Sequence, residues 1–273
     1  MGLVDAIILG LVQGVTEFLP VSSTGHLVLV REWLSVTGAN ELAFDAVLHF
    51  ATTAAVMLYF WPDILSLIQV ALRKLSRLPV NKKDITLLYA LIIGTVPAVI
   101  IGVFLESFVS TYLRTSLIVA IVLLCASIFF MYVEWRYYLR PAHGELTIKR
   151  GFLVGLFQAL ALIPGMSRSG ATIAGGMLLG MSRYEATRFS FLLAIPITLG
   201  VGTKMMLELL QEGGEGIPVD WTLIGVGAVI AFFTALLVIH FFLQFIRKYT
   251  LWPFVWYGII LAGIVAYVSL FTI

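Results

Sequence analysis

Glu17, His26 and Arg168 are polar residues set inside apolar sequence, each beside a break rich in serine and glycine. The first stretch, residues 10–26, reads G-L-V-Q-G-V-T-E-F-L-P-V-S-S-T-G-H, and the second, 155–172, reads G-L-F-Q-A-L-A-L-I-P-G-M-S-R-S-G-A-T. Laid over each other at a constant offset, Gly10 meets Gly155, Gln13 meets Gln158, Ser22 meets Ser167 and Gly25 meets Gly170. The copies differ where chemistry is concerned. One holds Glu17 and His26, the other Arg168. Ionisable groups at membrane depth are expensive and need a reason to be there.

The chemistry these residue types suit is phosphate handling. A guanidinium presents a planar fork that matches phosphate oxygens two at a time. The hydroxyls of Ser167, Ser169 and Thr172 add donors, as do backbone N–H groups at glycine-rich helix starts, here Gly165 and Gly170. Glu17 is the one acid in either motif, with Gln13 one helical turn before it on the same face. It could hold a divalent cation, act as general base, or orient His26. Ser22 or Ser23 with His26 as base, His26 itself, or water are the candidate nucleophiles, and Thr24 completes the break. Asp45 and His49 form a second same-face pair, which a helix-capping Asp and a satisfied core His would equally explain. The structural alternatives are close helix packing through Ser and Gly, and an Arg–Glu bridge without chemistry. Their placement at breaks in both copies favours the functional reading.

What must position these groups follows from composition. The chain has 273 residues, 60% hydrophobic and only 12% charged, with a mean hydropathy of +1.04. A soluble domain carries about 25% charged residues, so an all-α integral membrane protein in the bilayer is predicted. A net charge of +2 implies no nucleic-acid partner. Cys125, the single cysteine, excludes an internal disulfide and reads as a small buried side chain. No basic segment precedes the first apolar stretch, which reads as mature protein rather than a cleaved leader.

About six runs are long enough to cross: 43–61, 86–105, 116–135, 189–207, 222–242 and 251–271. Regions 2–34 and 151–181 are each broken by Pro, Gly and Ser, and read as two re-entrant helical hairpins. Residues 63–77, with apolar positions at helical spacing, read as an interfacial helix. Arg73, Lys74, Arg77, Lys82, Lys83, Arg136, Arg140, Lys149, Arg150, Arg183, Arg188, Arg247 and Lys248 fall on one side if the spans alternate. That side is cytoplasmic by the positive-inside rule. The other side holds Arg114, Lys204, Glu208, Glu212, Glu215 and Asp220, with Arg31 and Glu41 as interface charges. Repeat one, 1–135, and repeat two, 150–273, are then the same unit inverted, with hairpin tips meeting near the midplane.

At these motifs the chain resembles the undecaprenyl-diphosphate phosphatase family, also called the bacitracin-resistance family, over essentially its whole length. The resemblance rests on a Glu/Gln-x-x-x-Glu motif (Gln13 to Glu17), on P-V-S-S-T-G-H (Pro20 to His26) and on P-G-x-S-R-S-x-x-T (Pro164 to Thr172). It implies a membrane hydrolase that removes the terminal phosphate of undecaprenyl diphosphate, recycling the lipid carrier for cell-wall glycan synthesis. It also implies a divalent cation, Mg2+ or Ca2+, with Glu17 as essential acid and metal ligand. Arg168 is then the phosphate clamp, and Ser22, Ser23 and His26 are the nucleophile candidates. Two positions depart from the pattern: Gln13 stands where many members have a second Glu, and His49 where relatives have Gln. Asp45 is the candidate for the missing charge. A plasma-membrane location with the site facing outward is expected, and the oligomeric state stays open, a homodimer included. The competing function is a polyprenyl-phosphate flippase, because inverted repeats with broken helices also serve alternating access.

Overall fold

A computed structural model describes residues 1–36, 41–113, 115–212 and 220–271. Among them the chain is helical, in the order α1 (Leu3–Thr16), α2 (Ser23–Leu34), α3 (Glu41–Tyr59), α4 (Trp61–Leu75), α5 (Lys82–Tyr112) and α6 (Ser116–Leu139). It continues with α7 (Ile148–Leu160), α8 (Arg168–Leu178), α9 (Arg183–Glu212), α10 (Trp221–Lys248) and α11 (Trp252–Phe271). Arg114 and Glu215 lie outside the described residues, as do the side chains of Glu41, Glu208 and Glu212.

Five helices, α5, α6, α9, α10 and α11, are each long and apolar enough to cross a membrane. The outward faces of these helices are apolar: Phe104, Phe233 and Ile260 are exposed on α5, α10 and α11. Lipid is the solvent that such a surface suits. The first expected span behaves differently. It qualifies only together with α4, from which it is bent by 77°. Asp45, His49, Thr52 and Thr53 dilute the apolar character of α3, because that helix serves the site. Helix α4 carries Leu65, Ile68, Leu72 and Leu75 exposed along one side and Arg73 and Lys74 in its last turn, as an interfacial helix would. Cys125 corrects its reading: it is exposed. In a bilayer the outward face is apolar too, so a thiol is as well placed there as in the core.

Both regions 2–34 and 151–181 are helix pairs joined by a non-helical break, α1–α2 and α7–α8. Their first helices are fixed by backbone-to-backbone packing through small residues. Gly10 and Gly14 of α1 meet Gly227 and Ala231 of α10, while Gly151 and Gly155 of α7 meet Ala90 and Gly94 of α5. The ascending order of both sets makes α1 parallel to α10 and α7 parallel to α5. The start of α5 is tied to the start of α7's side by Lys83–Glu145. At that same basic end, buried Glu134 accepts from the Arg183 guanidinium and from the Leu251 amide, and Arg188 pairs with Asp63. Helix α10 ends and α5 begins at this face, so α1 and α7 run into the bundle from opposite ends.

A Cβ at Gly155 would stand 2.1 Å from the Gly94 carbonyl oxygen. Gly155→Ala is therefore expected to force α7 off α5 and lower the thermal unfolding midpoint, at about 1–3 kcal/mol. Gly200→Ala, with nothing within 4 Å of the added carbon, should leave the midpoint unchanged or higher.

Candidate active site

The two hairpin breaks are built alike. Ser22 precedes α2 with φ 66°, and Ser167 precedes α8 with φ 61°. Both lie in the left-handed region that costs a non-glycine residue about 1–3 kcal/mol. Each serine Oγ accepts from the amide three residues on, Gly25 N at 3.4 Å and Gly170 N at 3.2 Å. These are N-cap bonds, and they start each second helix abruptly. Gly165, with φ +101°, makes the tight turn into the second break, where a Cβ would lie 2.7 Å from the Val119 carbonyl oxygen.

The tips meet. Arg168 Nη2 donates to Glu17 Oε1 at 2.9 Å, and Ser169 Oγ donates to the Leu19 carbonyl at 2.9 Å. The other carboxylate oxygen, Oε2, accepts from Ser23 Oγ at 2.8 Å and from Gln13 Nε2 at 3.0 Å. His49 Nδ1 lies 3.8 Å from it, and 3.3 Å from Gln13 Nε2. Glu17 is 7% exposed and Gln13 fully buried. A carboxylate so enclosed is tolerable only when paired and fully hydrogen-bonded, which is what these neighbours provide. Glu17, Arg168, Ser23, Gln13 and His49 thus form one cluster contributed by α1, α2, α3 and α8.

The remaining expected residues stand around this cluster in other roles. Ser167 caps α8 and shares a hydrogen bond with Ser169 at 3.2 Å. Thr172 bonds back to the Arg168 carbonyl and across to Ser190 Oγ at 2.6 Å, locking α8 on α9. Gly25 and Gly170 have their N–H groups taken by the capping serines, and Thr24 is exposed. Asp45 does not join Glu17: it forms a two-pronged ion pair with Arg31. Arg31 is accordingly not an interface charge but 9% exposed, its guanidinium reaching across to the Asp45 carboxylate on α3. His26 sits on α2 with Nδ1 at 2.8 Å from the Ser22 carbonyl oxygen and Nε2 at 2.6 Å from the Tyr257 hydroxyl. The hydroxyl of Ser22, occupied as a cap, is turned to Gly25.

Sequence reasoning missed Tyr257, Ser190 and the Arg31–Asp45 pairing. The last had a signal, opposite charges on consecutive polar-faced helices. Tyr257 had none, being one of several aromatics in an apolar run.

The donor set also bears on a cation. Gln13 Oε1 is buried and has no hydrogen-bond partner, since its amide nitrogen is the end facing Glu17. An amide carbonyl oxygen and a carboxylate are both hard-oxygen donors of the kind that Mg2+ and Ca2+ take. Among the described residues no group of three or more His, Cys, Asp or Glu converges. The site therefore fits a cation shared with a ligand's oxygens, not one caged by protein alone.

The chain is similar to known proteins over nearly its whole length. The chain is 40% identical to the undecaprenyl-diphosphatase of Idiomarina loihiensis, covering 99% of this chain and all of the relative. It is likewise 40% identical to undecaprenyl-diphosphatase 2 of Agrobacterium fabrum, over 97% and 94% of the two chains. With undecaprenyl-diphosphatase 1 of Clostridioides difficile it shares 39% identity over 95% and 93%. The family model described as bacitracin resistance protein BacA matches residues 6–265, a span that takes in both hairpin breaks and every residue of the cluster, and the chain belongs to that family.

Proposed function

We propose that this protein is a membrane hydrolase that converts undecaprenyl diphosphate to undecaprenyl phosphate and inorganic phosphate. The observation that carries this reading is the convergence of Arg168, Glu17 and Ser23 across two hairpins. Phosphoryl transfer asks a protein chiefly for positioning and charge neutralisation. Arg168 offers its fork to the terminal phosphate, which is also the charge that Glu17 balances in the resting site. Ser23 Oγ, already donating to Glu17 Oε2, is the hydroxyl whose proton has a base within reach. Glu17 takes that proton as Oγ bonds to the terminal phosphorus. The bond from phosphorus to the bridging oxygen breaks, and the lipid monophosphate leaves. Water then hydrolyses the phosphoserine. Glu17 and Gln13 Oε1 would hold a divalent cation, Mg2+ or Ca2+, which supplies charge neutralisation to the diphosphate.

The ion pairs Glu134–Arg183 and Asp63–Arg188 tie helices together at the basic end of the bundle, the end that the positive-inside rule assigns to the cytoplasm, which supports a site opening to the outer side of the cell membrane. Purified protein in detergent should release phosphate from undecaprenyl diphosphate, and a chelator should slow the release. Folded protein that binds the lipid and releases none would favour the flippase reading, to which the opposed entry of α1 and α7 lends its geometry.

A further inference from the structure

We propose that Tyr257 is a positioning residue of this site, holding the His26 imidazole with its basic nitrogen at Nε2. The inference rests on the hydrolase reading. A carbonyl oxygen only accepts, so the 2.8 Å contact between the Ser22 oxygen and His26 Nδ1 puts the proton on Nδ1. Neutral imidazole then has its lone pair at Nε2, and Tyr257 donates to it at 2.6 Å. The two rings lie within 5° of parallel with centroids 5.7 Å apart.

The placement of Tyr257 is imposed from the other side of its helix. The next residue, Gly258, presses α11 so closely onto α6 that a Cβ there would lie 2.2 Å from Ser127 Oγ. Further along α11, Ala262 and Val265 pack with Val119, Ala120 and Leu123. Tyr257 is 44% exposed, so its ring is not part of the closely packed core. His26 follows Ser23 by three residues on α2, which sets both on neighbouring positions of one helix face. When water hydrolyses the phosphoserine, its oxygen bonds to phosphorus and the bond to Ser23 Oγ breaks. The water proton goes to His26 Nε2, and Glu17 returns the proton it took to Ser23. Tyr257 keeps Nε2 unprotonated and aimed until water takes over that hydrogen bond.

Tyr257→Phe removes only the donor. It should lower kcat about tenfold, the worth of one hydrogen bond to a reacting group, with KM and the thermal midpoint unchanged. In a His26→Ala background the same substitution should do nothing further. In protein labelled with 15N histidine, His26 should show a protonated Nδ1 and a bare Nε2, and Tyr257→Phe should shift the Nε2 resonance and mix the tautomers. Wild-type kcat in Tyr257→Phe, an equal loss in the His26→Ala background, or an unchanged His26 spectrum would each overturn the proposal. Wild-type protein that releases no phosphate overturns the hydrolase reading instead, and the spectrum still decides whether Tyr257 holds His26.

Discussion

Arg168→Lys is expected to lose nearly all hydrolysis although it keeps the positive charge. The side chain starts helix α8, immediately after the strained cap Ser167, and reaches back to Glu17 with one nitrogen at 2.9 Å. A guanidinium can grip two phosphate oxygens while remaining beside the carboxylate. A lysine ammonium is a point donor on a flexible stem and cannot reproduce that fork. Removal of one preorganised donor from a transition-state charge costs about 10²–10³-fold, and a phosphoryl-transfer arginine about 10³–10⁵-fold. Arg168→Lys should therefore fall by about 10³-fold in kcat/KM, measured as phosphate release, and Arg168→Ala at least as far. Retention of more than a tenth of wild-type activity by the lysine variant would remove the fork from the mechanism.

Glu17→Gln should be as damaging to turnover, with a different signature. The amide keeps the size of the carboxylate but can neither take the Ser23 proton nor balance Arg168. Loss of one partner of a buried ion pair costs about 3–5 kcal/mol, so the thermal midpoint should fall. Inorganic phosphate, as an anion for the unpaired guanidinium, should restore part of it. Activity should drop by about 10³-fold or more with no rescue by phosphate. A variant that unfolds outright at all phosphate concentrations would mark the pair as a structural bridge; one that is stable and active would mark it as neither.

The sequence carried the broken helices plainly, because Pro20 and Pro164 stand just before Ser/Gly-rich runs with charged residues in two matching copies, and the flanking segments are apolar. It also carried the meeting of Glu17 with Arg168, since two copies of one motif with complementary charges imply a shared site. The roles of the serines were less legible. Ser22 and Ser23 are neighbours of identical type, and only the backbone turn at Ser22 makes one a cap and leaves the other facing Glu17. Likewise Asp45 was a candidate for the charge absent at Gln13, but its carboxylate is taken by Arg31, fourteen residues earlier, a pairing fixed by how the two helices are placed in the bundle. Tyr257 comes to His26 from the last helix, over 231 residues of separation. Such a contact is set by how α11 closes on α6, and periodicity along one strand of sequence holds no trace of it. The bend after α3 was hidden for a related reason: a hydropathy run registers apolar length, not direction.

The central claim is that one phosphate group is gripped between the two hairpin tips, by Arg168 from one and beside Glu17 and Ser23 from the other. A structure of the protein with a non-hydrolysable methylene-bisphosphonate analogue of a polyprenyl diphosphate tests it most directly. The account predicts the terminal phosphonate within hydrogen-bonding distance of the Arg168 guanidinium, with its phosphorus in line with Ser23 Oγ. A bisphosphonate bound elsewhere in the bundle, with Arg168 still closed on Glu17, would contradict it.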